Sequence, residues 1–209
     1  MNLEQLKKLA WETMGRRLSH PDRERGFVYY HGQRVARIAV QLRELIFPGE
    51  DSLDEVLLVA GWFHDVGKGI EPHWEYGALL AREMLKEHCS PADLEKIVEI
   101  IGSHTLRKQG EYPLYVQLVQ DADILDHFGT VEVWLNFWHC AVRGKGVEQS
   151  LEFYADEHEQ EVTSVRGLLN FPASVQIFDE KVNFVRSFVA RFAQEARGEL
   201  ILQEKKAKG

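Results

Sequence analysis

The chain contains little cysteine and no long hydrophobic run. Of its 209 residues only two are cysteines, Cys89 and Cys140, which lie far apart and form no Cys-x-x-Cys motif. This argues against a disulfide scaffold and a thiolate metal site, and it is typical of a reducing compartment. No stretch is apolar enough to cross a bilayer, and the first residues include acids and lysines instead of an apolar signal segment. We therefore expect a soluble, cytoplasmic protein that has no membrane partner.

The chain also lacks a surplus of positive charge. It carries 33 acidic against 25 basic residues, which gives a formal net charge of -8. A chain with this balance repels a phosphate backbone, so general nucleic-acid binding is disfavoured. A small anionic substrate in a locally positive pocket remains compatible with this composition.

Runs of strict alternation between polar and apolar residues are scarce. Apolar residues instead recur at intervals of three and four, which is the period of an α-helix, so the sequence predicts an all-α protein. Nothing repeats at a fixed period, and no linker rich in Pro, Gly or Ser divides the chain. We therefore expect a single domain over residues 1–209. The predicted helices cover about residues 3–18, 27–46, 53–67, 73–88, 91–103, 114–128, 130–142, 147–168 and 173–204.

Several polar side chains fall where the helical pattern leads one to expect an apolar side chain. His31 is in phase with the apolar stripe of its helix, and His64 is in phase with the stripe of the next helix. Asp65 sits beside His64, and Asp123 shares a face with two valines of a later helix. Because buried polar groups need partners, these four side chains are candidates to meet one another in the core.

Each of these residues taken alone has a simpler interpretation. One histidine on an apolar face is more often a hydrogen-bonded core residue than a ligand, and an aspartate near a helix end is usually a cap or solvated. Two imidazoles and two carboxylates are mutually compensating, because a divalent cation offsets the cost of burying the acids. Nitrogen and oxygen donors without thiolate suit Mn²⁺, Fe²⁺, Co²⁺, Ni²⁺ or Mg²⁺ with positions open to water, in contrast to a closed structural zinc site.

The motifs around these residues resemble those of a known family. His31 in His-Gly-Gln-Arg-Val, His64 and Asp65 in His-Asp-Val-Gly-Lys, and Asp123 in Ala-Asp-Ile-Leu-Asp are similar to the H…HD…D pattern of the HD-domain metal-dependent phosphohydrolases. The resemblance covers roughly residues 29–128. It implies a helical bundle of the HD type in which these four residues bind one catalytic divalent ion. The HD core is then expected at about 27–128, with C-terminal helices at about 130–204 packed on it.

Two further histidines fit the same resemblance. His73 begins a segment, His-Trp-Glu-Tyr-Gly-Ala, that resembles the His-x-x-x-Gly-Ala helix start of the family, and His104 in Ile-Gly-Ser-His resembles its later histidine. In binuclear relatives these two positions are ligands of a second ion. The alternative is that His73 simply begins a helix and His104 ends one. We expect one tightly held ion, with both histidines facing the substrate. Whether a second ion binds is left open by the sequence.

Two departures from family patterns narrow the range of expected substrates. Subfamilies that hydrolyse nucleoside 5'-monophosphates often have a glutamate three residues after the motif aspartate, where this chain has Lys68. The branch that cleaves cyclic dinucleotides has an Asp-Gly-x-Gly-Tyr-Pro segment, of which only Tyr112 and Pro113 remain. The sequence is most similar to small stand-alone bacterial HD hydrolases, for which nucleotides are the usual substrate class. We expect a nucleoside triphosphate or another polyphosphate, because a fixed cation at Lys68 favours additional negative charge.

These motifs together predict a divalent-metal-dependent phosphohydrolase that acts on a nucleotide or a related phosphate ester or anhydride. Its candidate catalytic residues are Asp65, Lys68, His73 and His104, which act through the metal, the charge on the phosphoryl oxygens and proton transfer. The candidate phosphate-binding residues are Lys68, Arg34 and Arg107. Two alternatives stay open, a di-iron oxygenase of the HD fold and a non-catalytic nucleotide-binding signalling module. The sequence also leaves open the native metal and whether the protein is a monomer or a homodimer.

Overall fold

The fold is built from α-helices. A computed structural model describes residues 1–19 and 21–201, and this part of the chain contains ten α-helices, one 3-10 turn at Asp51–Leu53 and no strand. The all-α prediction is confirmed. None of the described helices is long and apolar enough to cross a membrane. The helices are α1 (Leu3–Met14), α2 (Phe27–Ile46), α3 (Asp54–Phe63), α4 (His73–Leu85), α5 (Pro91–Ser103), α6 (Leu114–His127), α7 (Thr130–Val142), α8 (Val147–Asp156), α9 (His158–Arg166) and α10 (Pro172–Ala196).

Helices α2, α3 and α6 pack together at the centre, and two glycines let α2 and α3 approach closely. A Cβ atom added at Gly32 of α2 would stand 2.9 Å from the carbonyl oxygen of Gly61 on α3. A Cβ atom added at Gly61 would stand 2.5 Å from the Cα atom of Ala36. Only glycine leaves room for backbones this close. The approach brings His31, the neighbour of Gly32, beside His64, which follows three residues after Gly61.

Several helix boundaries differ from the sequence prediction. The helix expected at residues 147–168 is two helices, α8 and α9, which are separated at Glu157. The buried residues of this segment recur at every fourth position, and such positions rotate by about 40° per step around a straight helix, so a break lets both halves face the bundle. Helix α1 ends at Met14 instead of about residue 18, and α3 ends at Phe63 instead of about residue 67. The buried residues of α8 and α9 are Ser150, Tyr154, His158 and Val162.

The last helix, α10, is fastened to the centre of the bundle at its start. The carboxylate of Asp121 on α6 accepts hydrogen bonds from the backbone amides of Asn170 at 2.8 Å and Phe171 at 3.1 Å. At its other end α10 stops at Ala196 instead of about residue 204, and Gly198 has a φ of 77°, which is typical of a residue that ends a helix. Residues 202–204 of the predicted helix lie outside the described residues.

Candidate metal centre

Four polar side chains from separate parts of the chain meet in the middle of the bundle. His31 lies on α2, His64 and Asp65 follow directly after α3, and Asp123 lies on α6, and all four are buried. Nε2 of His31 is 3.1 Å from Nε2 of His64 and 3.1 Å from Oδ1 of Asp123. The structure therefore brings together the four residues that the sequence singled out as metal ligands.

The other ring nitrogen of each of these two histidines is held by an acceptor. Nδ1 of His64 lies 2.8 Å from the carbonyl oxygen of Gly61, and Nδ1 of His31 lies 2.7 Å from Oδ2 of Asp126. When the ring proton is on Nδ1, Nε2 presents its lone pair to the centre of the site. Two such lone pairs 3.1 Å apart repel each other unless a proton or a metal ion lies between them.

The buried charges shift the pKa values of these groups. Burial lowers the pKa of His31, but the hydrogen bonds it makes with Asp123 and Asp126 outweigh burial and raise this pKa to about 9. Burial lowers the pKa of His64 to about 4, so its ring is neutral at pH 7. Burial also acts to raise the pKa of Asp123, but the Arg107 guanidinium and His31 hold it well below its usual range. The site thus attracts positive charge, either as a proton on His31 or as a metal ion.

A second group of donors surrounds Asp65. Nε2 of His73 and Nε2 of His104 each lie 3.5 Å from Oδ1 of Asp65. Nδ1 of His104 lies 2.8 Å from the carbonyl oxygen of Ile101, and Nδ1 of His73 lies 3.1 Å from Oε2 of Glu71. Nε2 of His73 is buried and has no hydrogen-bond partner among the described residues. Both histidines therefore do more than begin and end helices, because they line the same cavity as Asp65.

The chemistry of these donors fits a divalent ion. Ligand atoms of His31, His64 and Asp65 lie within 4.8 Å of one another, and so do ligand atoms of Asp65, His73 and His104. Asp65 belongs to both groups, so its carboxylate could bridge two ions or serve one ion between them. Mixed nitrogen and oxygen donors, together with the unpartnered buried nitrogen of His73, are what a site for Mn²⁺, Fe²⁺, Co²⁺, Ni²⁺ or Mg²⁺ offers.

The cavity in front of these ligands has a volume of about 260 Å³, and Lys68 and Arg107 line it. Nζ of Lys68 lies 3.7 Å from Oδ1 of Asp65, and the guanidinium of Arg107 contacts Oδ2 of Asp123. Both cations are thus next to the candidate ligands and face the space that a substrate would occupy. This is the placement that phosphate binding requires.

The structure gives Arg34 different contacts from those expected. Its Nε atom lies 2.7 Å from Oδ1 of Asp126, and its Nη2 atom lies 2.9 Å from Oδ2 of the same carboxylate. Arg34 does not line the cavity in front of the ligands. It is one helical turn from His31, as its spacing predicts, but a buried carboxylate on α6 takes up its guanidinium. The geometry therefore favours a role for Arg34 in holding Asp126 instead of binding phosphate.

The structure also adds cavity residues that the sequence analysis did not single out. His127 follows Asp123 by one turn of α6, and its Nε2 atom lies 3.7 Å from Oδ1 of Asp123. This spacing of four residues was a usable signal. Glu161 on α9 also lines the cavity, and nothing in its local sequence marks it. Its position depends on the break between α8 and α9, which the helical pattern did not predict.

Arg17 supports the turn that carries Asp65 and Lys68. It lies after the end of α1, and its guanidinium donates to the carbonyl oxygens of Val66 and Lys68, each at 2.8 Å. The turn follows α3 and contains backbone hydrogen bonds from Val66 to Phe63 and from Lys68 to Asp65. Arg17 therefore adds bonds from outside the turn to carbonyl oxygens that the helix end leaves free.

Comparison with known proteins gives one family and one fold. Residues 28–127 match the family model described as the HD domain, and no curated protein matches the chain. An HD-superfamily hydrolase from Bacillus thuringiensis is similar with a TM-score of 0.70 and 20% identity, over 94% of this chain and 97% of that one. YpgQ of Bacillus subtilis, solved in complex with ADP, is similar with a TM-score of 0.64 and 16% identity, over 93% of this chain and 98% of that one. At these identities the similarity shows the fold.

Proposed function

This chain belongs to the HD-domain family through residues 28–127, and on that basis we propose that it is a divalent-metal-dependent phosphohydrolase acting on nucleotides. The HD-superfamily hydrolase fold supports a metal-dependent phosphohydrolase in general. The observation that carries the proposal is the convergence of His31, His64, Asp65 and Asp123 behind a cavity lined by cations. We further propose that a nucleoside triphosphate or another polyphosphate is preferred over a monophosphate.

The four converging residues would hold the ion. A bound divalent ion lowers the pKa of a water molecule towards neutrality and polarises a phosphoryl oxygen. The surrounding residues orient the histidine donors and keep the carboxylate donor ionised. The acceptors on Nδ1 of His31 and His64 fix the rings with Nε2 turned inward, and the pKa of Asp123 lies well below its usual range, so this carboxylate is ionised at neutral pH.

The proposed preference for a polyphosphate rests on the two cations of the cavity, Lys68 and Arg107. Lys68 occupies the position at which subfamilies that hydrolyse monophosphates often have a glutamate. Its side chain is 39% exposed, and it lines the cavity. Arg107 is fixed by its contact with Asp123. Two fixed positive charges balance the negative charge of a phosphate chain, and they stabilise the charge that develops on its oxygens during transfer.

His73 is our candidate for proton transfer to the leaving oxygen. Its Nε2 atom is buried in the cavity wall and lacks a hydrogen-bond partner among the described residues, while Nδ1 is held by Glu71. A nitrogen in this state can hold a proton and donate it to an oxygen that enters the cavity. His104, whose Nδ1 atom is bound to a backbone carbonyl, would orient Asp65 from the other side.

The nucleotide part of the proposal rests on similarity of fold. YpgQ, which has this fold, was solved in complex with ADP. The di-iron oxygenase remains an alternative, because the group of Asp65, His73 and His104 offers donors for a second ion. Redox-active iron with oxygen consumption would identify it. A non-catalytic nucleotide-binding module is the other alternative, and the absence of turnover in metal-loaded protein that still binds nucleotide would identify that one.

A substrate screen tests the proposal directly. Protein stripped with a chelator is reconstituted separately with each candidate ion, and release of phosphate and pyrophosphate is measured from nucleoside mono-, di- and triphosphates. We expect turnover with at least one ion and a preference for triphosphates. Asp65→Ala should lose at least about 10²-fold in kcat together with its tightly held metal.

Asp156→Ala is the matched control, because it also removes an aspartate carboxylate, but from an exposed position on α8. It should keep both activity and metal content. The proposal fails if folded, metal-loaded protein turns over no phosphate ester or anhydride, or if Asp65→Ala retains the metal content and activity of the wild type.

A further inference from the structure

His127 is a further histidine beside the candidate ligands, and the motifs of the sequence analysis do not include it. It is the last residue of α6, and it lines the cavity in front of the ligands. It follows Asp123 by four residues, so the two side chains share a face of the helix. Two ligands at this spacing bind the same ion in metal sites built on helices. The position of His127 is therefore one from which a side chain can reach an ion held by Asp123.

The two oxygens of Asp123 have different surroundings. Oδ2 contacts the guanidinium of Arg107. Oδ1 lies 3.1 Å from Nε2 of His31, 3.7 Å from Nε2 of His64 and 3.7 Å from Nε2 of His127. Three imidazole nitrogens thus surround one carboxylate oxygen, and the third of them belongs to His127.

The distance between His127 and Asp123 is too long for a direct hydrogen bond. Donor and acceptor nitrogen and oxygen atoms are usually about 2.7–3.2 Å apart, whereas these two atoms are 3.7 Å apart. Two ligand atoms that each lie about 2.1 Å from one ion are about 3.0–3.6 Å apart when they subtend an angle of about 90–120°. The observed distance is close to this range. An ion shared by both atoms accounts for the arrangement better than a hydrogen bond does.

The ring of His127 has no competing polar partner. Neither of its nitrogens makes a hydrogen bond within residues 1–19 and 21–201. The ring lies against that of His31, and the two ring centroids are 4.7 Å apart. The side chain is 41% exposed, so water can accept a hydrogen bond from the ring nitrogen that does not face Asp123. Nε2 is therefore available to an ion.

A ligand at His127 changes the chemical character of the site. Ligand atoms of His31, Asp123 and His127 lie within 4.8 Å of one another. Together with His64 and Asp65, these residues offer three imidazoles and two carboxylates. Imidazole nitrogen suits Fe²⁺ and Ni²⁺, whereas Mg²⁺ and Mn²⁺ are bound mainly by carboxylate and water oxygens. A third imidazole thus favours the first pair of ions over the second.

We infer that His127 is an additional ligand of the metal ion and that it makes the site prefer Fe²⁺ or Ni²⁺ to Mn²⁺ or Mg²⁺. The geometry around Oδ1 of Asp123 carries this inference, because it places three imidazole nitrogens around one carboxylate oxygen. The inference rests on the proposed function, since it adds a ligand to the ion that the proposed hydrolysis requires.

The substitution His127→Ala tests this inference by its effect on metal binding. Protein stripped with a chelator is titrated calorimetrically with Ni²⁺ and, separately, with Mn²⁺, in the absence of any substrate. We expect the affinity for Ni²⁺ to fall by about 10–100-fold, the size of effect that support of a metal ligand usually has. The affinity for Mn²⁺ should fall much less, because water replaces the lost imidazole at little cost.

Proton NMR of the Co²⁺-loaded protein shows whether His127 binds the ion itself or only positions Asp123. Each histidine ring bound to Co²⁺ gives strongly shifted ring-proton signals, so these signals count the imidazole ligands. With one equivalent of Co²⁺, the wild type should give signals from three rings. His127→Ala should lack one of these sets and retain the other two, which belong to His31 and His64.

His139→Ala is the matched control. The side chain of His139 on α7 is 40% exposed, almost as much as that of His127, but it lies outside the groups of candidate ligands. This variant should bind Ni²⁺ and Mn²⁺ like the wild type and give all three sets of shifted signals. His127→Gln serves in place of His127→Ala if circular dichroism shows that the alanine variant is unfolded, and we expect the same losses from it.

The outcomes separate this inference from the proposed function. If the wild type binds none of the ions, both fail. Loss of one set of shifted signals, together with a larger loss of affinity for Ni²⁺ than for Mn²⁺, supports the assignment of His127. If the wild type binds metal and the folded variant gives any other result, the assignment is wrong and the proposed function stands.

Discussion

Asp126 holds His31 from behind the candidate metal centre. Its Oδ2 atom lies 2.7 Å from Nδ1 of His31, and both of its oxygens are bound in turn by the guanidinium of Arg34. The carboxylate therefore fixes the orientation of the ring and places the ring proton on Nδ1, which leaves Nε2 free for a ligand bond. A metal ion held by the candidate ligands would therefore depend on residues that never contact it.

Asp126→Asn should weaken metal binding without removing a ligand. The amide can turn its NH₂ group towards Nδ1 and favour the tautomer with its proton on Nε2, so we expect affinity for Mn²⁺ to fall by about 10–100-fold. Isothermal titration with Mn²⁺ measures this. Asp156→Asn, at an exposed position, is the control and should bind like the wild type. Equal affinities in the two variants would contradict the role assigned to Asp126.

Lys68→Met should change which phosphate compounds are hydrolysed. It removes a positive charge 3.7 Å from Oδ1 of Asp65, so we expect kcat/KM for a triphosphate to fall by about 10²-fold and for a monophosphate to fall much less. The measurement compares mono-, di- and triphosphates of one nucleoside. Lys86→Met, which alters an exposed ion pair with Glu83, should leave the ratio unchanged. A wild type that clearly prefers the monophosphate would refute the expectation.

His104→Ala separates the one-ion and two-ion arrangements. The group around Asp65 offers two imidazoles and one carboxylate that it shares with the first group, so a second ion there would be held more weakly. We expect turnover to fall by about 10²–10³-fold while the tightly held metal stays at about one ion per chain. Elemental analysis after dialysis, run in parallel with assays on His73→Ala and the double variant, decides this. A fall from two ions to one with either single substitution would favour the two-ion site and the oxygenase.

Arg17→Met should destabilise the turn that carries Asp65. The substitution leaves the carbonyl oxygens of Val66 and Lys68 without their charged donor, and we expect the free energy of unfolding to fall by about 1–3 kcal/mol. Urea unfolding monitored by circular dichroism measures the change. The neighbouring Arg16 is exposed, so Arg16→Met should unfold like the wild type. A loss of the same size in both variants would mean that the contacts of Arg17 contribute little.

The candidate ligands could be singled out from the sequence because their signal is local. His31, His64 and Asp123 each break an apolar stripe with helical period, and such a stripe must face the core whatever packs against it. The contact of Arg34 could not be predicted in this way. Its spacing from His31 shows which face of α2 it occupies, but not which group on α6 it contacts. The position of Glu161 at the cavity could not be predicted either, because it depends on a change of chain direction at Glu157.

The distance along the chain between the groups of the candidate metal centre has a kinetic consequence. His31 and Asp126 are 95 residues apart in sequence, and they meet only when α2 and α6 are packed together. Contacts between such distant segments are costly to close early, so the binding site should be largely absent from the transition state for folding. Bound metal would then slow unfolding and hardly accelerate folding. In stopped-flow experiments, saturating Mn²⁺ should lower the unfolding limb of the chevron plot and leave its folding limb in place.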